Sequence, residues 1–145
     1  MLLKRALKAS VILVLSVAVI ACNDNTPSNE GDFATVSISG RSVKIFVTGS
    51  QEFGGDGASL QGIVRNLNGH LAIATPEYVY IPVFRGAPDA VEKEFDTMKT
   101  INGWTIPGER ERARFGGGEA DDFAELNLPG GADKFWIVAP LTPEN

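Results

Sequence analysis

From Phe33 onward, apolar and polar residues alternate in short runs, which is the pattern of strands that bury one face. The alternation is clear over 33–39 and again over 43–47, and Gly40 lies between the two runs. We therefore predict a β-hairpin that turns at Gly40, because glycine adopts the backbone angles that such turns require. Asn68-Gly69 is a stronger signal of the same kind and predicts a second hairpin.

Three further segments are predicted to be extended, and one of them is ambiguous. The apolar residues of 59–68 lie on one helical stripe but also alternate in part, and the strand is favoured because a hairpin signal and the strand-like run 70–74 follow it. The run 78–84 contains Pro82, which indicates an edge strand or a bulge. The apolar run 134–140 predicts the last strand.

Residues 88–101 are the best helix candidate after the N-terminal segment. Pro88 suits the first helical position, and Val91, Phe95 and Met98 fall on one helical face. Asn102-Gly103 is expected to end the helix, which could then close one end of a barrel.

Arginine alternates with other residues after this helix, at Arg110, Arg112 and Arg114. Such alternation is typical of a solvated strand near a sheet edge. Gly116, Gly117 and Gly118 are then expected to break the strand sharply. We interpret them as a tight barrel corner, where positive φ angles or a close backbone approach require glycine, in preference to a cradle for an anion.

These elements predict a mainly β fold, a small antiparallel barrel or sandwich with one short helix near 88–101. The strands and the helix all fall within residues 33–145, which we treat as one domain.

The first 21 residues have a different character, with three cations followed by the apolar run 9–20 and then Ala21-Cys22. The run is too short to span a bilayer comfortably. It resembles the lipobox signal of bacterial lipoproteins, which implies cleavage after Ala21 and lipidation of Cys22. An ordinary cleaved signal with an incidental cysteine and an uncleaved N-terminal anchor are the alternatives.

The polar stretch 22–32 has no side chain that could seed a core, and we interpret it as a flexible tether. The resemblance implies a protein anchored to a membrane of the cell envelope through lipid on Cys22. Asn23 resembles the signal for onward transport to an outer membrane in diderm bacteria, where the domain would face the periplasm.

The net charge and the single cysteine exclude several classes of partner and site. The chain has 13 Lys and Arg against 18 Asp and Glu, and removal of the three signal cations leaves a net charge near −8. This charge argues against nucleic acid as a partner and against electrostatic adhesion to anionic lipid. Cys22 is the only cysteine, so no internal disulfide can form. If Cys22 carries lipid, no thiol remains for redox chemistry or for zinc binding through cysteine.

A second resemblance covers about half of the chain. The motifs that carry it are Gly62-Ile63-Val64, Asn68-Gly69-His70-Leu71, Tyr80-Ile81-Pro82-Val83-Phe84, Asn102-Gly103, Ile106-Pro107-Gly108-Glu109, Phe115-Gly116-Gly117-Gly118-Glu119, Leu128-Pro129 and Phe135-Trp136-Ile137-Val138. They resemble a recurrent pattern of uncharacterised bacterial lipoproteins and exported proteins, which implies a small β-barrel similar to the oligonucleotide/oligosaccharide-binding barrel.

This pattern implies no known activity, and the chain departs from it at two cysteines. His70 replaces the first, and no cysteine follows Leu128-Pro129. The cross-link is therefore missing, which costs a small domain roughly 2–5 kcal/mol.

Four aromatic residues are the first candidates for binding. Tyr78, Tyr80, Trp104 and Trp136 could form a face that binds an envelope protein or a glycan. At alternating strand positions such residues also fill cores, which is the alternative.

Calcium is a second hypothesis, because Glu119, Asp121, Asp122 and Glu125 gather carboxylates within one loop. Their spacing matches no EF-hand loop, and the alternative is a solvated acidic surface.

A hydrolase is a weaker hypothesis. His70 is the only histidine, so a Ser-His-Asp mechanism would have to use it, and Ser50 lacks the flanking pattern of a nucleophile elbow. We therefore predict a non-catalytic binding or structural module that carries no cofactor.

Overall fold

A computed structural model of the protein describes residues 32–49, 57–121 and 126–141. Cys22, the signal and nearly all of the tether lie outside the described residues, as do Asp122 and Glu125. The elements, in chain order, are β1 (Asp32–Ile38), β2 (Arg41–Thr48), β3 (Ala58–Leu67), β4 (His70–Ala74), β5 (Val79–Arg85), α1 (Pro88–Met98), β6 (Thr100–Ile101), β7 (Trp104–Thr105), β8 (Arg112–Ala120) and β9 (Lys134–Val138).

Five of the strands close into a ring. β3 pairs with β4, β4 with β5, β5 with β9, β9 with β8, and β8 again with β3. The mainly β prediction is confirmed, but the sheet is mixed, because β5 runs parallel to β9. The helix lies between the third and fourth strands of the ring in chain order, a connectivity that resembles the five-stranded Greek-key barrel named for oligonucleotide and oligosaccharide binding.

The hairpin of β1 and β2 is added to this ring. β2 runs parallel to β4 at Lys44 and His70, and parallel to β5 from Phe46 and Val83 onward. β4 and β5 pair with each other only at Ile73–Ala74 and Val79–Tyr80. β2 therefore fills the gap where these two strands separate, and β1 covers its other edge.

Three hairpins turn through two residues that both have positive φ, the geometry that matches the twist of paired strands. The dipeptides are Ser39-Gly40, Asn68-Gly69 and Asn102-Gly103. The first two turns confirm the sequence prediction, and the segment 58–67 is a strand, as context indicated. The third turn corrects a prediction: Asn102-Gly103 was expected to end the helix, but it joins β6 to β7.

The helix ends at Met98, three residues before the predicted end at 101, and the capping residue Lys99 adopts a left-handed conformation and donates its N–H to the Phe95 carbonyl. Val91 and Phe95 are buried against the main core, as their spacing predicts. Met98 is 61% exposed, so its predicted place on the buried face is wrong. Met98 is the last residue of α1, and the chain turns at Lys99 into β6, which leaves this side chain uncovered.

The inner and outer faces of several strands are both buried. Side chains of the main core fill the ring, among them Phe84, Phe115 and Val138. A second cluster lies on the opposite face of β2, β4, β5 and β9 and contains Phe46, Ala72, Ile81, Val83, Leu126 and Phe135. Leu126 and Leu128 come from the connection between β8 and β9, which folds back over this outer face.

Of the two predictions about strand edges, the one at Pro82 needs correction and the one for the arginine strand is confirmed at Arg112 and Arg114. Pro82 lies inside the ring, between the part of β5 that pairs with β4 and the part that pairs with β2. Proline has no backbone N–H to donate, and none is needed where the strand changes partner. Pro82 therefore does not mark an edge strand. β8 has β3 along one edge and β9 along only the second half of the other, so among the described residues Arg112 and Arg114 lie exposed where the strand is paired on one edge only, as the alternation predicts.

The glycine run also differs in part from expectation. β8 continues through Gly116, Gly117 and Gly118 to Ala120, so the run does not break the strand. The predicted close approach is confirmed, because the backbone of Gly117 lies directly against the Ile137 carbonyl.

Candidate binding pocket

A pocket of about 280 Å³ lies beside the second cluster, on the outside of the ring. It is bounded by the β1–β2 hairpin, the start of β4 and the first residues of the described β8–β9 connection. Its lining consists of Phe33, Phe46, His70, Leu126, Asn127, Leu128 and Pro129. Concave, mostly apolar sites with few polar groups are the usual form of a ligand pocket.

His70 is the main polar side chain of this pocket. It lies at the start of β4 because the Asn68-Gly69 turn reverses the chain there, and its ring stacks on Phe46 with centroids 5.7 Å apart. The buried Nδ1 atom has no hydrogen-bond partner among the described residues. A buried polar atom without a partner costs about 1–3 kcal/mol, so this placement of His70 is a cost to stability.

The protonation of His70 follows from its surroundings. Burial, and to a smaller extent the charge of Lys44, hold the pKa of His70 below its usual range. The imidazole is therefore neutral at pH 7, with one nitrogen able to donate a hydrogen bond and the other able to accept one.

The aromatic walls are held by cross-strand pairing. Phe33 of β1 lies opposite Phe46 of β2 in the hairpin register, and their ring centroids are 4.7 Å apart. The Lys44 ammonium lies 5.4 Å from the centroid of Phe33. Leu126 and Leu128 of the β8–β9 connection complete the apolar part of the lining.

The four aromatic residues predicted to bind do not form one exposed face. Tyr80 and Trp136 are 7% and 4% exposed and meet edge to face inside the main core. Tyr78 is 39% exposed and packs its ring edge to face on Tyr80. Trp104 lies elsewhere, against Phe115, and its indole N–H donates to the Ala139 carbonyl. Tyr80 and Trp136 thus have the core position given above as the alternative.

The acidic residues of the calcium hypothesis are partly engaged with a cation of the protein. Lys134 forms ion pairs with Glu119 at 3.1 Å and with Asp121 at 3.4 Å. Within the described ranges, no group of three or more His, Cys, Asp or Glu side chains is placed to hold a metal ion. Asp122 and Glu125 lie outside those ranges, so the calcium hypothesis stays a prediction.

Glu119 also accepts a hydrogen bond from the Tyr80 hydroxyl, at 2.9 Å. Burial and this hydrogen bond raise the pKa of Tyr80 to about 12. The hydrogen bond from Lys134 holds the pKa of Glu119 below its usual range. These contacts attach the end of β8 to β5 and β9, which is a structural role.

Sequence reasoning identified His70 but not the pocket around it. His70 was noted as the only histidine and considered for catalysis, whereas Phe33 and Phe46 were assigned only to strands. A usable signal exists in Leu126-Asn127-Leu128-Pro129, where two leucines interrupt an otherwise acidic and glycine-rich connection. Such residues are seldom left exposed together, so they indicate a packed loop.

Comparison with known proteins adds no assignment: no protein-family model, curated protein or solved structure matches this chain. In the part of the chain described here, α1 is the only helix, and it is not long and apolar enough to cross a membrane. Fold and pocket together define a small β-barrel with an aromatic side pocket.

Proposed function

We propose that the protein is a lipid-anchored module of the cell envelope that binds a partner, without catalysis, through the pocket at His70. The observation that supports this most directly is the aromatic pocket of about 280 Å³, in which His70 is the main polar side chain. A concave, mostly apolar site with few polar groups is the usual form of a ligand pocket.

The lining favours binding over chemistry. Among the described residues that line the pocket, none carries a hydroxyl, thiol or carboxylate, so they give His70 no nucleophile to activate. We therefore keep the hydrolase hypothesis below the binding hypothesis.

The lining also indicates the chemistry of the ligand. Two phenylalanines, two leucines and a proline suit an apolar or aromatic group, and His70 adds one hydrogen bond. We propose that this group is a side chain of an envelope protein. A glycan fits less well, because sugars are usually held by several polar side chains and the lining supplies only His70 and Asn127.

The pocket can be tested with His70 as its own reporter. Because the chain has one histidine, histidine-selective ¹³C labelling of the whole protein in nanodiscs gives a single imidazole signal. Indole and phenol, which each carry one donor on an aromatic ring, are the probes. We expect both to shift this signal saturably and to raise the melting temperature.

Phe33→Ala should weaken indole binding about tenfold, because stacking on one aromatic wall contributes about 1 kcal/mol or more. Tyr78→Ala is the matched control, since Tyr78 is an exposed aromatic residue that does not line the pocket. If indole leaves the His70 signal unchanged, or if both variants lose binding equally, the pocket is not the binding site.

The location is tested separately, at Cys22. Expressed in a bacterial host, the full-length protein should carry acyl mass on Cys22 and fractionate with membranes, whereas Cys22→Ser should lose the acyl mass. An uncleaved anchor would instead leave the wild type and Cys22→Ser unlipidated, so their intact masses would differ only by the exchange of sulfur for oxygen. Identical unlipidated species would remove the lipid anchor from the proposal and leave the pocket untouched.

A further inference from the structure

Among the described residues, the first half of β8 is paired along one edge only. β8 pairs with β3 from Arg112 to Gly117, but with β9 only from Gly117 to Ala120. The Gly116 carbonyl accepts a hydrogen bond from the Ala139 N–H at 2.9 Å and so points towards β9. Because backbone groups alternate along a strand, the N–H and C=O groups of Arg114 and Arg112 point to the same edge, beyond the reach of β9.

This edge borders a groove of about 330 Å³. β7 and the segment after it form the opposite wall with Trp104, Thr105 and Pro107, and Leu141 lies at one end. The indole N–H of Trp104 is already bonded to the Ala139 carbonyl at 2.8 Å. The ring is therefore fixed in place and offers apolar surface to the groove.

The groove is positively charged although the protein is acidic. Arg112 and Arg114 are exposed, and neither forms an ion pair with an acidic side chain of the described residues, where both ion pairs are made by Lys134. Their side chains leave the same face of β8, about 6.6 Å apart along the strand. An extended peptide has the same repeat, so acidic residues at alternate positions of a peptide match this spacing.

We propose that an extended acidic segment of a partner protein adds to the free edge of β8 between Arg112 and Phe115. Its backbone pairs with Arg112 and Arg114, its acidic side chains meet the two guanidinium groups, and its apolar side chains lie against Trp104 and Leu141. Strand addition of this kind takes affinity from the main chain and specificity from alternate side chains. This surface is distinct from the His70 pocket, with which it shares no lining residue.

The test uses the whole protein in nanodiscs and a short fluorescent peptide in which Glu alternates with Val. A second peptide has Lys in place of Glu, and a third keeps Glu but carries N-methyl groups on alternate backbone nitrogens. We expect the Glu peptide to bind and to slow amide exchange at Arg112 and Arg114. Both the Lys peptide and the N-methyl peptide should bind at least about tenfold more weakly.

The double variant Arg112→Glu with Arg114→Glu should weaken binding of the Glu peptide at least about tenfold. Arg41→Glu with Arg65→Glu is the matched control, because it changes the net charge equally at exposed positions outside the groove. Equal losses in the two double variants would mean that net charge alone attracts the peptide and would overturn the proposal. Unchanged amide exchange at Arg112 and Arg114, or undiminished binding of the N-methyl peptide, would overturn it as well.

Discussion

Replacing Gly117 by alanine is expected to destabilise the barrel by about 3 kcal/mol. An added Cβ would overlap the carbonyl oxygen of Ile137 and lie 3.0 Å from the indole nitrogen of Trp136. The φ angle of Gly117 is 142°, a conformation that residues with a side chain rarely adopt. The neighbour that must move is backbone of the adjacent strand, so relief requires β8 and β9 to separate. Chemical denaturation of the full-length protein and the variant measures the change in free energy of unfolding.

Gly130→Ala is the control for this substitution. No atom lies within 4 Å of the position a Cβ would take at Gly130, and its φ angle is not positive. This variant should remain within about 0.5 kcal/mol of the wild type. If Gly117→Ala and Gly130→Ala unfold at the same denaturant concentration, β8 and β9 are not in the close contact described above.

The glycine run illustrates how far local sequence reasoning extends. Three consecutive glycines predict a close backbone approach, and the contact of Gly117 with Ile137 confirms it. The run does not reveal which strand approaches, because Ile137 is separated from it by the whole β8–β9 connection. The strand itself was expected to end at Gly116, yet pairing on both sides carries it to Ala120.

Turn chemistry was predictable to a similar degree. Asn-Gly favours positive φ at both positions, and both Asn-Gly pairs of the described chain adopt it. At 102–103, however, the sequence was interpreted as the end of a helix, because the same residues serve either purpose. The distinction depends on Lys99, which takes the left-handed conformation first and so ends the helix early.

The second hydrophobic cluster explains why the pocket was not predicted. A period-two pattern identifies one buried face, whereas β5 buries Tyr80 and Phe84 on one side and Ile81 and Val83 on the other. Burial on both faces needs a cover, and the cover comes from Leu126 and Leu128, a long way along the chain. The pocket is the space left where this cover meets the β1–β2 hairpin, so it depends on two long-range contacts that no local pattern encodes.

Phe115→Ala is expected to destabilise the core by about 3–5 kcal/mol. Phe115 is fully buried, and its ring meets Phe84 edge to face at 5.5 Å and Trp104 at 6.3 Å. Truncation would leave a cavity where β3, β5 and β8 face each other, and their closed ring limits how far they can collapse into it. Phe115→Leu, which keeps most of the volume, should cost less than about 2 kcal/mol.

Met98→Ala provides the contrast for Phe115→Ala, because Met98 has a side chain of similar size that is 61% exposed. Its substitution should change the free energy of unfolding by less than about 0.5 kcal/mol. Equilibrium denaturation of the three variants separates two possibilities: if Met98→Ala destabilises as strongly as Phe115→Ala, Met98 is buried with Val91 and Phe95, as the sequence predicts. The barrel described above requires Phe115→Ala to lower the free energy of unfolding much more than Met98→Ala. The buried ring of Phe115 makes packing contacts that are lost on truncation, whereas the exposed thioether of Met98 makes few.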